Sequence, residues 1–310
     1  MKVTARVPAT TANIGPGFDS FGMALPIYNE ITIEETVMPG TGIEISVIAE
    51  NQEDLNVMMI PTDKTNIVYK AVELLYNSIG QTPSELKITI KSDIPIAKGL
   101  GSSASVIVGG LMAANELLGR PADEAALLSI ATEVEGHPDN VTPAIVGGIV
   151  ISSQEDDGRV VYRKLKWPSD WNIMVCVPDY ELATDIARSV IPKEIPLKDA
   201  IFNLKRSAMF VQAVNSADEE LIKLALTDKL HQPYRMKLVP GLSEIIENLK
   251  HEEDVLGCVL SGAGPAVLVI TKGHSQEKIK DIIRNTWLDL NVKSDIQVLK
   301  IEDTGSVILN

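Results

Sequence analysis

Residues 2–7 (KVTARV) alternate between polar and apolar positions, the period of a half-buried strand. The alternation returns at 30–37 and 43–49 (ITIEETV, IEISVIA) and at 86–92 (LKITIKS), which predicts an antiparallel sheet with one face toward water. Between Pro8 and Asp19 the string PATTANIGPGFD, rich in Gly, Pro and small polar residues, reads as a loop. From Thr65 to Ser78 the apolar period becomes helical, with Ile67, Val68, Ala71, Leu74 and Leu75 on one face. Residues 104–118 are mostly small or apolar and predict a buried helix; 122–135, opened by Pro121 and Asp123, predict a second. Three strand-like runs occupy 143–177 (AIVGGIVISS, VVYRKLK, NIMVCVP). Helices are predicted at 184–191, 197–215, 218–226, 242–250 and near 275–288. A Gly-rich strand pair, LGCVLSGAGPAVLVIT, precedes the last of them, and a closing strand follows near 296–302. Strands and helices come in groups, so the chain reads as α+β in two domains, 1–166 and 167–310, with WPSDW at 167–171 as the junction.

Composition narrows this picture. Of 310 residues, 45% are apolar and only 4% aromatic, so the core is built from Val, Ile, Leu and Ala. A chain this long buries enough surface to need no staples. The net charge of −14 argues against nucleic acid or an anionic membrane as a partner, since both require a basic surface. Any anionic ligand must be met by local backbone N–H groups or cations. Cys176 and Cys258 lie far apart in apolar runs, which reads as a reduced buried pair and not a disulfide framework or zinc site. MKVTARVPAT has no apolar stretch of signal-peptide length, and no run approaches 18 apolar residues, so the cytoplasm is the expected location.

The segment from Pro95 to Ser105, PIAKGLGSSAS, is the most informative. Gly99 and Gly101 permit positive φ and close approach of a ligand to the backbone. Ser102, Ser103 and Ser105 supply short hydroxyls, and the segment opens into the 104–118 helix, whose first N–H groups are unpaired. Together these make an anion cradle. It is not a Walker A loop, because no Lys follows Gly101, and the G-x-G-x-x-A string at 99–104 lacks the βαβ context of a dinucleotide site. A serine hydrolase is a rival reading, but GSSAS does not match G-x-S-x-G, and His137 and Asp139 lie only two positions apart. Read alone, the loop is also compatible with a Gly-Ser helix entrance that binds nothing.

P-x-x-x-G-L-G-S-S-A resembles the ATP-binding signature of the galactokinase, homoserine kinase, mevalonate kinase and phosphomevalonate kinase superfamily. VPATTANIGPGFDSFGMAL is similar to that superfamily's first motif, and LSGAGPAVLVI, 260–270, to its third. The three occur in the expected order, so the resemblance covers essentially the whole chain. It implies a two-domain small-molecule kinase fold. The N-terminal domain would be ribosomal protein S5 domain 2-like and the C-terminal one a ferredoxin-like α/β sandwich. ANIGPGFDSFG together with EGHPDNVTPAIVGG resembles the homoserine kinase family within it. That implies ATP as cosubstrate, Mg²⁺ as cofactor and L-homoserine as the small-molecule partner; members are often dimers, so a homodimer is one open assembly, with an edge strand of the N-terminal sheet as a candidate interface. A mevalonate-type kinase of the same superfamily is the alternative, and a non-catalytic metabolite sensor keeping the fold is a third.

The resemblance also distributes roles. Pro95, Ile96, Ala97, Lys98, Gly99, Leu100, Gly101, Ser102, Ser103, Ala104 and Ser105 would wrap the phosphates, with Asn66 toward the adenine and Thr184 toward the γ-phosphate. Ser103 and Glu133 would hold Mg²⁺, with Glu135 as the neighbouring candidate. Asp19 and Asp139 would meet the acceptor's ammonium and Arg188 and Arg235 its carboxylate. Asn13, His137 and Asn140 would orient its hydroxyl, and Asn140, Thr184 and Arg188 would serve catalysis, without a dedicated base. Out of context the same residues have plainer uses. Asn13 and Asp19 suit turns, His137 and Asp139 suit a surface turn around Pro138, and the arginines suit solvated helix faces.

Overall fold

The computed structural model describes residues 1–36, 42–49, 60–83 and 85–309. Its first sheet is built around a long antiparallel pair, β1 (Lys2–Asn13) and β2 (Gly17–Glu35). β3 (Ile43–Ala49) joins β4 (Leu86–Ser92) in parallel, and β4 pairs with β2. β5 (Ile149–Gln154) pairs with β2 at Phe21 to Met23 and carries β6 (Val160–Leu165). The chain's final strand, Val307–Leu309, returns to the outer edge of β1. Among the described residues, four helices cover this sheet: α1 (Ile67–Ser78), α2 (Ser102–Leu117), α3 (Glu124–Glu135) and α4 (Pro138–Val146). Val3, Ile31, Ile33 and Ile88 on the strands bury against Val68, Ile107, Leu111 and Leu128 on the helices. Helix α2 comes unusually close: a Cβ on Gly109 would lie 2.5 Å from Ile31 Cδ1, so small residues there admit the helix to the sheet.

The second sheet is antiparallel, ordered β10-β7-β9-β8, from β7 (Asn172–Pro178), β8 (Val255–Leu260), β9 (Val267–Thr271) and β10 (Ser294–Leu299). Between β7 and β8 run α5 (Thr184–Ser189), α6 (Leu197–Ser216), α7 (Glu219–Ala225), α8 (Gln232–Arg235) and α9 (Leu242–Leu249); α10 (Gln276–Leu288) precedes β10. α9 and α10 pack on one face of this sheet. The other face meets the first sheet, with Phe21, Met23 and Leu25 against Ile173, Val175, Leu268 and Ile270. Phe210 of α6 stacks on Phe21, ring centres 4.8 Å apart. The two-domain α+β architecture is the expected one. Residue 166 falls between β6 and β7, while the final strand crosses back to the first sheet.

The pattern misplaced some elements. PATTAN is not loop but the second half of β1, and only three residues separate it from β2. Its small residues are buried on both faces, so the usual polar-apolar alternation is absent. Register shifts at Pro8/Ala9 and Ala12/Asn13 mark bulges, the first of which accommodates Pro8. Residues 144–146 of the expected strand AIVGGIVISS instead end α4, which starts at Pro138 with Pro in the first turn. Val37, at the end of the strand expected at 30–37, lies outside the described residues. Among the described residues no helix is long and apolar enough to cross a membrane.

Candidate active site

A cleft of about 530 Å³ gathers residues from seven separate stretches of chain. Its floor is the turn between β1 and β2 and the loop 95–101. Its rim is the start of α2, the start of α4, α5, α8 and the turn at Gly262 and Ala263. Of the residues named from sequence, Asn13, Asp19, Asn66, Pro95 to Ser103, His137, Asp139, Asn140, Thr184, Arg188 and Arg235 all line this one space.

The loop is held by backbone bonds to both domains. Thr10 N–H donates to the Leu100 carbonyl (3.0 Å), Ala266 N–H to Lys98 (3.1 Å) and Leu182 N–H to Ala97 (3.2 Å). Gly99 and Gly101 have φ of +77° and +65°, and a Cβ on Gly101 would stand 1.9 Å from Thr10 Oγ1. Gly101 caps α2 without any side-chain bond, so the first N–H groups of that helix face the cleft with its positive dipole end. Lys98 does not present its ammonium to the cleft. Nζ donates to the carbonyls of Pro178 (3.0 Å) and Tyr180 (2.6 Å), strapping the loop to the second domain.

Three assigned residues point elsewhere. Ala104 is buried in the core against the sheet. Ser105 donates to the Ser102 carbonyl (2.7 Å) and accepts from Asn29 Nδ2 (2.8 Å), so its hydroxyl is spent inside. Successive helical residues turn by about 100°, which carries positions 104 and 105 inward once Ser102 and Ser103 face the cleft. Glu133 is exposed on α3 and outside the cleft. Two positions on, at the helix end, Glu135 lines the cleft and accepts from Ser103 Oγ at 2.8 Å. Burial pushes the Glu135 carboxyl pKa up, against the lowering effects of Ser103 and His137. A cation at this carboxylate would relieve that cost. Asn66 caps α1, its Oδ1 accepting from Val68 N–H (2.9 Å) and its Nδ2 donating to the Pro61 carbonyl (2.6 Å); it shapes the wall and offers no free amide.

Two residues beyond Glu135, His137 is not in a surface turn. It is the residue before α4, and its Nδ1 lies 2.5 Å from Asp139 Oδ1. Burial pulls the His137 pKa down, but Asp139, Glu135 and Asp19 outweigh it and leave it raised. Asp139 is itself buried in the first turn of α4. Asn140 Oδ1 accepts from Thr10 Oγ1 at 2.8 Å, and its Nδ2 is 3.2 Å from Asp139 Oδ1. The partner of Asn140 on β1 is thus a threonine, not a lysine.

Asn13 and Asp19 sit at positive φ (68° and 54°), a conformation that Asn and Asp tolerate best after Gly. Asn13 Oδ1 accepts from Asp19 N–H (3.0 Å) and its Nδ2 donates to the Gly262 carbonyl (2.9 Å). Arg188 clasps Asp19 with two bonds of 2.9 and 3.1 Å. Arg235 is only 2% exposed. It donates to the carbonyls of Ala187 (3.1 Å) and Gly262 (3.2 Å), and among the described residues it has no carboxylate partner. Burial, then Arg188, brings its pKa down to about 10. Phe18, which the pattern did not single out, lies under both guanidinium groups, 5.5 Å from Arg188 and 5.2 Å from Arg235.

Known proteins resemble this chain in sequence and fold. Residues 66–148 match the family described as GHMP kinases N terminal domain, and 210–289 the GHMP kinases C terminal family. A homoserine kinase of Crocosphaera subtropica is 40% identical over 98% of this chain and 96% of its own. One from Clostridium botulinum (strain Okra) is 42% identical over 99% of both chains. The crystal structure of homoserine kinase from Cytophaga hutchinsonii superposes with a TM-score of 0.87 at 27% identity, covering 99% of this chain and 97% of that one. The fold and the cleft define a kinase of the GHMP class, an ATP-dependent phosphotransferase with an alcohol acceptor. Within that class the chain belongs to the homoserine kinase family.

Proposed function

We propose that the cleft transfers the γ-phosphoryl group of ATP to the side-chain hydroxyl of L-homoserine, giving O-phospho-L-homoserine and ADP, and that it does so in the cytoplasm. Arg235 carries the choice of acceptor. A buried guanidinium without a counter-ion is costly, and an acceptor carboxylate would supply the missing charge. An ammonium would be met by Asp139, whose Oδ2 has no donor among the described residues, and by Asp19. Mevalonate has the carboxylate but no ammonium, so paired acids beside the arginines favour an amino acid.

On the nucleotide side, Pro61, Ile67, Ile90, Pro95, Ile96 and Val106 form an apolar slot suited to a purine. The backbone N–H groups at Ser102 and Ser103 would cradle the phosphates. Ser103 and Glu135 fit Mg²⁺, which takes one or two protein oxygens and completes its shell from water and phosphate; no cluster of three acidic, His or Cys ligands is found among the described residues. When bound there, Mg²⁺ neutralises charge on the β- and γ-oxygens.

The acceptor oxygen attacks the γ-phosphorus, the bond to the β–γ bridging oxygen breaks, and ADP leaves. An amide cannot take the hydroxyl proton, which passes to an oxygen of the transferred phosphoryl group. With its Oδ1 held by Thr10 and one Nδ2 hydrogen given to Asp139, Asn140 has its second Nδ2 hydrogen left for the acceptor oxygen, which it would hold in line. Asn140→Ala is accordingly expected to lower kcat by about 10- to 100-fold without abolishing turnover. Complete loss in a folded variant would contradict a base-free transfer.

Truncated acceptors test the assignment. 3-Aminopropan-1-ol lacks the carboxylate and 4-hydroxybutanoate the ammonium. Each is expected to lose at least about tenfold in kcat/KM against L-homoserine. Equal use of all three would remove both charge assignments.

A further inference from the structure

His231 is fully buried, does not line the cleft, and takes no part in the chemistry above. Its two ring nitrogens have distinct partners. Nε2 lies 2.8 Å from the Gly15 carbonyl, which accepts only, so Nε2 carries the proton. Nδ1 then holds a lone pair, and it faces Arg235 Nη1 at 3.4 Å. The ring stacks on Phe18, centres 5.2 Å apart and planes 15° from parallel. The same Phe18 ring lies under both arginines. Asp228 fixes the backbone from which the ring projects: its Oδ2 accepts from the N–H groups of His231 (2.9 Å) and Gln232 (2.6 Å). Its Oδ1 accepts from Asn203 Nδ2 (2.7 Å) and Leu230 N–H (2.9 Å).

We propose that His231 is a positioning residue that aims Arg235 at the carboxylate of the acceptor, a role that rests on the acceptor reading given above. With Nη1 held by the His231 lone pair and the Gly262 carbonyl, and Nε by the Ala187 carbonyl, the guanidinium plane is set by three acceptors. Nη2 is left without a protein partner among the described residues and is the edge available to the carboxylate. The lone pair must stay unprotonated for this, since a proton on Nδ1 would set two cations side by side. Burial holds the His231 pKa below its ordinary value, consistent with that requirement. Gly15 ties the ring to the turn carrying Asn13, so the carboxylate end and the hydroxyl end of the acceptor share one frame.

Two variants separate aiming from general packing. His231→Gln keeps a donor able to reach Gly15 but loses the acceptor beside Arg235. His231→Asn keeps an oxygen near the Nδ1 position. His231→Gln should raise KM for L-homoserine about tenfold, with kcat and KM for ATP within about twofold. Its kcat/KM for 3-aminopropan-1-ol should match the parent, because that acceptor has no carboxylate to aim at. His231→Asn should restore most of the affinity. An unchanged KM for L-homoserine in folded His231→Gln overturns the proposal. So does an equal loss with 3-aminopropan-1-ol, which marks a merely structural histidine, or a folded His231→Asn no better than His231→Gln. A parent protein that uses both acceptors equally well removes the carboxylate reading itself, and the proposal with it.

Discussion

Glu135→Gln is expected to lower kcat/KM by about 10²- to 10³-fold at saturating Mg²⁺, the scale on which loss of one preorganised charge-stabilising group is felt in acyl and phosphoryl transfer. Glu133→Gln should change it by less than about threefold, the behaviour of an exposed carboxylate on a helix. The pair is informative because both residues sit at the end of α3 and differ by two positions, about 200° around the helix. Of the two, Glu135 reaches Ser103, and burial raises the Glu135 pKa. The measurement is initial rate against Mg²⁺ concentration for both variants. The expected signature is a shift to higher Mg²⁺ demand in Glu135→Gln alone. Equal losses in both would return the metal site to open question, and a larger loss in Glu133→Gln would move it back there.

Arg235→Met is the second large effect. It should raise KM for L-homoserine by about 10- to 150-fold, the equivalent of roughly 1.5–3 kcal/mol for a lost charge-assisted bond. KM for ATP should hold, because among the described residues the bonds of Arg235 go to Ala187, Gly262 and His231 and none goes to residues 95–105. Met fills most of the volume and removes the desolvated charge, while the Ala187 and Gly262 carbonyls lose their donor, so the variant's fold is checked by circular dichroism before its kinetics are read. Steady-state kinetics with each substrate varied in turn gives the split. An unchanged KM for L-homoserine would take Arg235 out of the acceptor site.

Much of the fold is legible in the sequence. The alternation of LKITIKS gives a strand with the observed bounds, and the helix expected at 65–78 differs from α1 only in its first turn, which Asn66 caps. These segments carry a clean period and a local stop signal. The errors fall where tertiary contacts decide. PATTAN looks like loop because strands buried on both faces by small residues lose their alternation. Helix α4 hides behind two prolines, yet Pro138 sits where no helical N–H is needed. Pro143 lacks the N–H that would bond the Asp139 carbonyl, and that carbonyl instead abuts Gly22 of β2. The final three-residue strand pairs with a segment some 300 positions away and has no local signature.

The site divides in the same way. Family resemblance and fold were readable from three ordered motifs. Most residues named from the family resemblance, from Asn13 to Arg235, line one cleft. Which side chain within a motif points inward was not readable, because a motif fixes neighbourhood but not helical phase. Ala104, Ser105 and Glu133 turned out to face away, and Glu135 took the place beside Ser103. Thr10, Phe18 and His231 had no signal at all. A buried histidine is ordinarily a packing residue, and its 3.4 Å approach to an arginine with no carboxylate partner among the described residues gives it a further meaning.

The most direct measurement is ADP formation by the purified protein with Mg²⁺ and ATP, run against L-homoserine, mevalonate, galactose and shikimate, with phosphorus NMR of the product. The expected result is ADP release with L-homoserine far above the other three, matched mole for mole by a new phosphate monoester on the side-chain oxygen. Faster turnover of mevalonate, or ADP release without an ester, would contradict it.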